Sequence, residues 1–132
     1  MHYGANAYTK VAQVTQSPRE LEASVLMKAA IRLQAVKDDW DNRQKDLDEA
    51  LTFNRKVWTI LVTSATTPDN PLPLPIKQNI ANLGLFIFNH TMRMMTEPSP
   101  ERLGILVNIN REIAAGLRGM GVPAEALQQS AA

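Results

Sequence analysis

The stretch from Ile76 to Met95, IKQNIANLGLFIFNHTMRMM, decides how this chain is read. At about 100° per residue, Ile76, Ile80, Leu83, Ile87 and Met94 fall on one line of a helix. Ala81, Leu85, Phe88, Met92 and Met95 fall on an adjoining line. The remaining sector holds Gln78, Asn79, Asn82, Asn89 and Arg93, with Phe86 set among them. A surface helix needs an apolar stripe only about 100° wide, and this one covers well over half of the circumference. Two readings are open. The helix is central and packed on two sides, or it packs on one side and offers the other to an amphipathic partner. Methionine lets such a surface adapt to its ligand, and helix-in-groove recognition uses anchors at this spacing. The candidate partner-binding residues are the Phe88, Met92 and Met95 line, Phe86, the amides Asn79 and Asn82, and Trp58 on the preceding helix.

Widening the window to Ile60–Thr96 adds few charges: Asp69, Lys77 and Arg93 are the only charged residues in it. A membrane helix nevertheless needs about 20 mostly apolar residues. The uncharged run from Gln78 to Met92 is shorter than that and includes Gln78, Asn79, Asn82, Asn89 and His90. No membrane span or membrane partner is expected. The N-terminal MHYGANAYTKVAQVTQ lacks a basic region followed by a continuous apolar run, so it does not read as a secretory signal.

At 132 residues the chain fits one domain. Its net charge of +1 gives no electrostatic footprint for nucleic acid. The absence of cysteine removes disulfides, thiolate catalysis and zinc–thiolate sites, and a cytoplasmic protein is the natural reading.

The apolar period is helical throughout, and no alternation long enough for a strand occurs. The expected fold is all-α, a single-domain bundle of about five helices with a proline-rich linker before the fourth. The domain is expected over residues 1–119, with a mobile tail over 120–132. A first helix is expected from about Gly4 to Thr15, with Tyr3, Ala7, Val11 and Val14 on one side. Ser17-Pro18-Arg19-Glu20 then starts a second helix, because Ser17 can cap free N–H groups and Pro18 suits the first helical position. That helix runs to about Val36 or Lys37 and places Leu21, Val25, Leu26, Ala29, Leu33 and Val36 on one broad face. Met27 and Ile31 lie on the other side, facing the first helix.

Eleven of the twenty residues from Lys37 to Lys56 are charged, with both signs mixed. One continuous rod or two helices are both compatible with this segment. A break near Asp38–Asn42 is favoured, with Asp41 or Asn42 as cap. The third helix then aligns Leu47, Leu51, Trp58, Val62 and Ala65. Thr66–Pro75 carries alternating prolines, which deny helix to the residues before them, so an extended, stiff linker is expected. The fourth helix starts near Pro75 and ends before Glu97-Pro98. Ser99-Pro100 starts the fifth, whose stripe is Leu103, Leu106, Val107, Ile109, Ile113, Ala114 and Leu117. Gly116, Gly119, Gly121 and Pro123 end regular structure.

Catalytic constellations are not evident. Nucleophilic catalysis needs a nucleophile, a base and an orienting group together, and His90 has no carboxylate nearby in sequence. Asp38, Asp39 and Asp41 are interleaved with Lys37, Arg43 and Lys45 and match no calcium loop. No glycine-rich phosphate loop occurs. Neither enzyme activity, cofactor nor metal is expected. The best basic–aromatic grouping for nucleic acid is Arg55 and Lys56 beside Phe53 and Trp58. Asp46, Asp48 and Glu49 largely cancel it, so direct nucleic-acid binding is not expected.

Several segments in order carry a resemblance. Tyr8 lies in the N-terminal helix, followed by Ser17-Pro18-Arg19-Glu20-Leu21-Glu22-Ala23 and Leu26-Met27-Lys28-Ala29-Ala30 with Leu33-Gln34. Ala50-Leu51-Thr52-Phe53-Asn54-Arg55-Lys56-Val57-Trp58-Thr59 and Leu74-Pro75-Ile76-Lys77-Gln78-Asn79-Ile80-Ala81-Asn82-Leu83-Gly84 complete the set. Over about the first 95 residues, and more weakly to Leu117, this resembles the FlaF family, flagellar biosynthesis regulators of flagellated alphaproteobacteria. The resemblance implies a small cytoplasmic protein that promotes flagellin synthesis and export in a chaperone-like way. It further implies flagellin as partner, together with an FlbT-type regulator that acts on flagellin mRNA. Unassembled flagellin has helical terminal segments that need shielding. The family offers no catalytic residues to carry over. The alternative is a post-transcriptional regulator that contacts flagellin mRNA directly. The residues leave open whether the protein is a monomer or dimer.

Overall fold

The computed structural model describes residues 17–119. The first expected helix, with Tyr8, and the tail from residue 120 lie outside the described residues. Within them the chain forms α1 (Pro18–Asp38), a one-turn α2 (Trp40–Arg43), α3 (Leu47–Ala65), α4 (Leu74–Thr96) and α5 (Pro100–Gly119). A 3-10 turn over Gln44–Asp46 joins α2 to α3. There are thus four long helices here, not five, and no strand among the described residues.

The helices run alternately up and down. Glu20 near the start of α1 pairs with Arg118 near the end of α5 at 3.0 Å. Arg32 of α1 lies 4.1 Å from the ring centroid of Phe53 on α3. His90 of α4 donates from Nε2 to the carbonyl of Arg102 on α5 at 2.8 Å. The α1–α5 pair is the most intimate, and α4 touches α5 only lightly. Small buried side chains at Ala23, Ala29, Ala30 and Ala114 account for the first, since interaxial distance follows the size of the residues at the contact.

Both serine starts work as expected. Ser17 Oγ accepts from the Glu20 N–H at 3.1 Å, and Ser99 Oγ from the Arg102 N–H at 3.3 Å. The α1–α3 junction needs correction. The chain does break, at Asp39 (φ −128°, ψ 48°), but α3 begins only at Leu47, and neither Asp41 nor Asn42 caps it. Instead the Asp39 carbonyl accepts from the N–H groups of Asn42 and Arg43, and its carboxylate from Asn42 Nδ2 at 2.8 Å. Reversing the chain takes two successive tight turns, so the polar run is consumed in them and α3 starts at the first residue that enters the core.

The proline linker also departs from a plain extended strut. Thr66 and Thr67 hydroxyls donate to the carbonyls of Val62 and Thr63 at 2.8 and 2.9 Å, capping α3. Asn70 Oδ1 accepts from the Leu72 N–H at 2.9 Å, and Leu72 is buried as a plug. The linker ends in extended backbone at Pro73 (φ −57°, ψ 145°), which precedes α4. At the other end, α5 continues through Gly116 to Gly119 because Leu117 is buried and Arg118 is held by Glu20.

The core centre is polar. Trp58 Nε1 donates to Asn110 Oδ1 at 2.8 Å. Asn110 Nδ2 donates to Asn54 Oδ1 at 2.7 Å and to the Leu26 carbonyl at 3.2 Å. All three side chains are fully buried. Indole is donor-only, so it fixes the Asn110 amide, which in turn requires Asn54 to present its oxygen. Asn54 Nδ2 is the one buried side-chain polar atom left without a partner among the described residues.

Truncating Asn110 to Ala leaves the indole N–H and the Asn54 oxygen unpaired, at about 1–3 kcal/mol for each stranded group, and removes the second bond of the Leu26 carbonyl, which keeps its place in the α1 ladder. Asn110→Ala is therefore expected to cost about 3 kcal/mol or more, read as a drop of about 10 °C or more in a thermal melt. A shift of only a degree or two would mean that the hub is dispensable.

Candidate functional site

α4 meets α3 through its Ile80, Gly84, Ile87, Thr91 and Met94 line, all buried, with Ile76 and Leu83 half-buried. Gly84 permits the close approach: a Cβ there would sit 2.5 Å from Val62 Cγ2. The adjoining line is left open. Leu85, Met92 and Met95 are 65%, 66% and 63% exposed, while Ala81 and Phe88 are half-buried. From Ala81 to Met95 this stripe spans about 21 Å of helix at about 1.5 Å per residue.

The lower part of the stripe forms one wall of a groove of about 410 Å³ between α3 and α4. Phe88, Thr91, Met92 and Met95 face Leu51, Thr52, Arg55 and Thr59 across it. Thr59 and Thr91 donate their hydroxyls back to the Arg55 and Ile87 carbonyls at 2.8 and 2.7 Å. Such back-bonding satisfies the hydroxyl within its own helix. Arg55 is the one charged residue lining it. The groove can hold apolar anchors, with a cation at its rim; it brings together no acid, base or nucleophile for chemistry. Among the described residues no group of three or more His, Cys, Asp or Glu could hold a metal ion, and no helix is long and apolar enough to cross a membrane.

The residues singled out from sequence therefore separate. Phe88, Met92 and Met95 come together in this groove. Asn79 lines a different groove of about 280 Å³ between α4 and α5, with Ile76, Ile113 and Leu117. Asn82 faces solvent. Phe86 is 44% exposed and stacked on His90, ring centroids 5.4 Å apart. Trp58 is a correction: it is 0% exposed and belongs to the core hub, since its side chain fills the space between α3 and α5 and its N–H is taken by Asn110. Thr52, Arg55 and Thr59 were not foreseen as groove residues, although their three- and four-residue spacing places them on one face of α3.

A second groove, of about 160 Å³, runs between α1 and α3 near the start of α1. Leu21, Val25, Leu26, Val57, Ile60 and Leu61 line it, and Glu22 is its only ionisable residue. Burial pushes the Glu22 carboxyl above its ordinary 4.5, and the nearby Arg19 charge pulls the other way.

Two expectations follow. Gly84→Ala forces a Cβ against Val62, whose β-branched side chain is stiff; overpacking costs about 1–3 kcal/mol, more than the ~1 kcal/mol gained in helix propensity. Gly84→Ala should lower the melting temperature and Gly84→Ala/Val62→Ala should recover most of the loss; a stabilised single variant would show that α4 shifts freely. For Glu22, a raised folded-state pKa means the native state holds the proton more tightly than the unfolded chain. Its contribution is fully present below about 4.5 and is lost as pH rises through the folded value. Glu22→Gln should accordingly melt higher than wild type at pH 7, with the gap closing towards pH 4.

The sequence profile of the family described as "Flagellar protein FlaF" matches residues 4–117. No curated protein and no solved structure matches the chain. With the profile spanning nearly the whole sequence, the chain belongs to the FlaF family of flagellar proteins.

Proposed function

We propose that this protein is a non-catalytic, cytoplasmic binding protein of flagellar biosynthesis that holds an amphipathic helix of flagellin in the α3–α4 groove. In this reading it promotes flagellin synthesis and export in a chaperone-like way, together with an FlbT-type regulator. One observation carries it: Met92 and Met95 stand exposed beside Phe88, in line along a groove in which the Thr59 and Thr91 hydroxyls are bonded within their own helices. Burying such side chains is worth about 1.5–3 kcal/mol each, and a helical partner places anchors at the matching spacing. The helical terminal segments of unassembled flagellin have that character.

Direct contact with flagellin mRNA draws less support. Single-strand binding uses aromatic faces on which bases stack, but Trp58 is buried and Arg32 covers Phe53.

The test is binding of purified flagellin to wild type and to Met92→Asp/Met95→Asp. Both positions are exposed, so the melt should move little. Affinity should fall about tenfold or more, at least about 1.4 kcal/mol. A folded double variant that binds flagellin as wild type does would place the partner elsewhere, and a wild type that ignores flagellin but binds its mRNA would overturn the reading.

A further inference from the structure

Near its end α4 carries three methionines whose surroundings differ sharply. Met92 and Met95 are 66% and 63% exposed and line the α3–α4 groove together, whereas Met94, between them in sequence, is 0% exposed in the core. Met27 is half-buried against the core. Thioether sulfur is soft and polarisable, and a two-electron oxidant converts it to the sulfoxide, which turns an apolar side chain into a polar one. Exposure decides which sulfur the oxidant reaches. The chain has no cysteine, so no thiol takes the oxidant first. Two of the groove's three threonines, Thr59 and Thr91, already give their hydroxyl protons to carbonyls and have no donor to offer a new oxygen.

We propose that Met92 and Met95 form a reversible oxidation site, with a hydroperoxide as oxidant, that switches the lining of the α3–α4 groove from apolar to polar. The regulation rests on that groove being where the flagellin helix binds. In the step a sulfur lone pair attacks one peroxide oxygen. The S–O bond forms, the O–O bond breaks, and with hydrogen peroxide the other oxygen leaves as water. Sulfur gives up two electrons and the peroxide gains them. A dithiol reverses the step through two reductases, one for each sulfoxide epimer; the thioether and water are returned as the dithiol closes to a disulfide. In the free protein both new oxygens stand in water, so the bundle keeps its fold. Under a bound helix they are desolvated, and a polar group buried without a partner opposes binding. The switch acts on the complex and spares the fold.

For the test, the full chain is treated with hydrogen peroxide, the peroxide is removed, and each methionine is read by tandem mass spectrometry. Met92 and Met95 should gain one oxygen about tenfold or more faster than Met94; equal rates at the three positions would overturn the site. Protein oxidised at both should melt with little change and bind purified flagellin about tenfold or more weakly. The two reductases and a dithiol should restore the affinity. Met92→Leu/Met95→Leu, measured before and after peroxide, should show no such loss; an equal loss would place the effect at another methionine and overturn the switch. Met92→Asp/Met95→Asp separates the two ideas. If it loses flagellin while the oxidised protein binds as the untreated protein does, the switch fails and the groove assignment stands. If neither change weakens binding, both fall.

Discussion

The structure is organised around the indole N–H of Trp58. Because that group can only donate, Asn110 must turn its oxygen towards α3 and its nitrogen towards Asn54 and the Leu26 carbonyl. One amide on α5 thereby ties α1 and α3 together at the middle of the bundle. Apolar packing alone would tolerate a helix sliding by a fraction of a turn, whereas these bonds are satisfied at one register only. Asn54 Nδ2 is left unpaired, which costs about 1–3 kcal/mol and is offset by the bonds that fix the register. A buried polar device of this kind specifies one arrangement of helices at some cost in stability.

α4 stands outside that arrangement. No hydrogen bond of the hub reaches it; Gly84 against Val62 and the His90–Arg102 bond set its position instead. Because it leans on α3 and only lightly on α5, one of its two apolar lines is buried and the other is covered only in part, at Ala81 and Phe88. This is the physical origin of the exposed Leu85, Met92 and Met95. A helix attached along a single line can present a long, continuous apolar stripe without disturbing the hub, and a partner helix laid on the stripe would complete its packing.

α3 thus has a groove on each flank. The one shared with α4 is lined with flexible methionine and with threonine and holds Arg55 as its charged residue. The other, shared with α1, has aliphatic walls and the half-buried Glu22.

Helix content, the two serine caps, the break after Asp38 and the proline linker were all legible in the sequence, because each rests on local chemistry: side chain to backbone within three or four residues, or a proline's fixed φ. The Ile76–Met94 line was legible too, since a helix's period determines which residues share a face. Other features depended on what lies across space. Trp58 and Phe88 are both large apolar residues on helix stripes, and nothing local distinguishes the one that is buried from the one at a groove. Asn110 sits within an apolar stripe of α5, a hint of a buried polar contact, but its partners are 52, 56 and 84 residues away. The sequence by itself determined the helices and the surplus of apolar surface on α4. Only the tertiary structure decided which part of that surplus stays open, because this depends on how far α4 stands from α5 once α3 and Gly84 have claimed its other line.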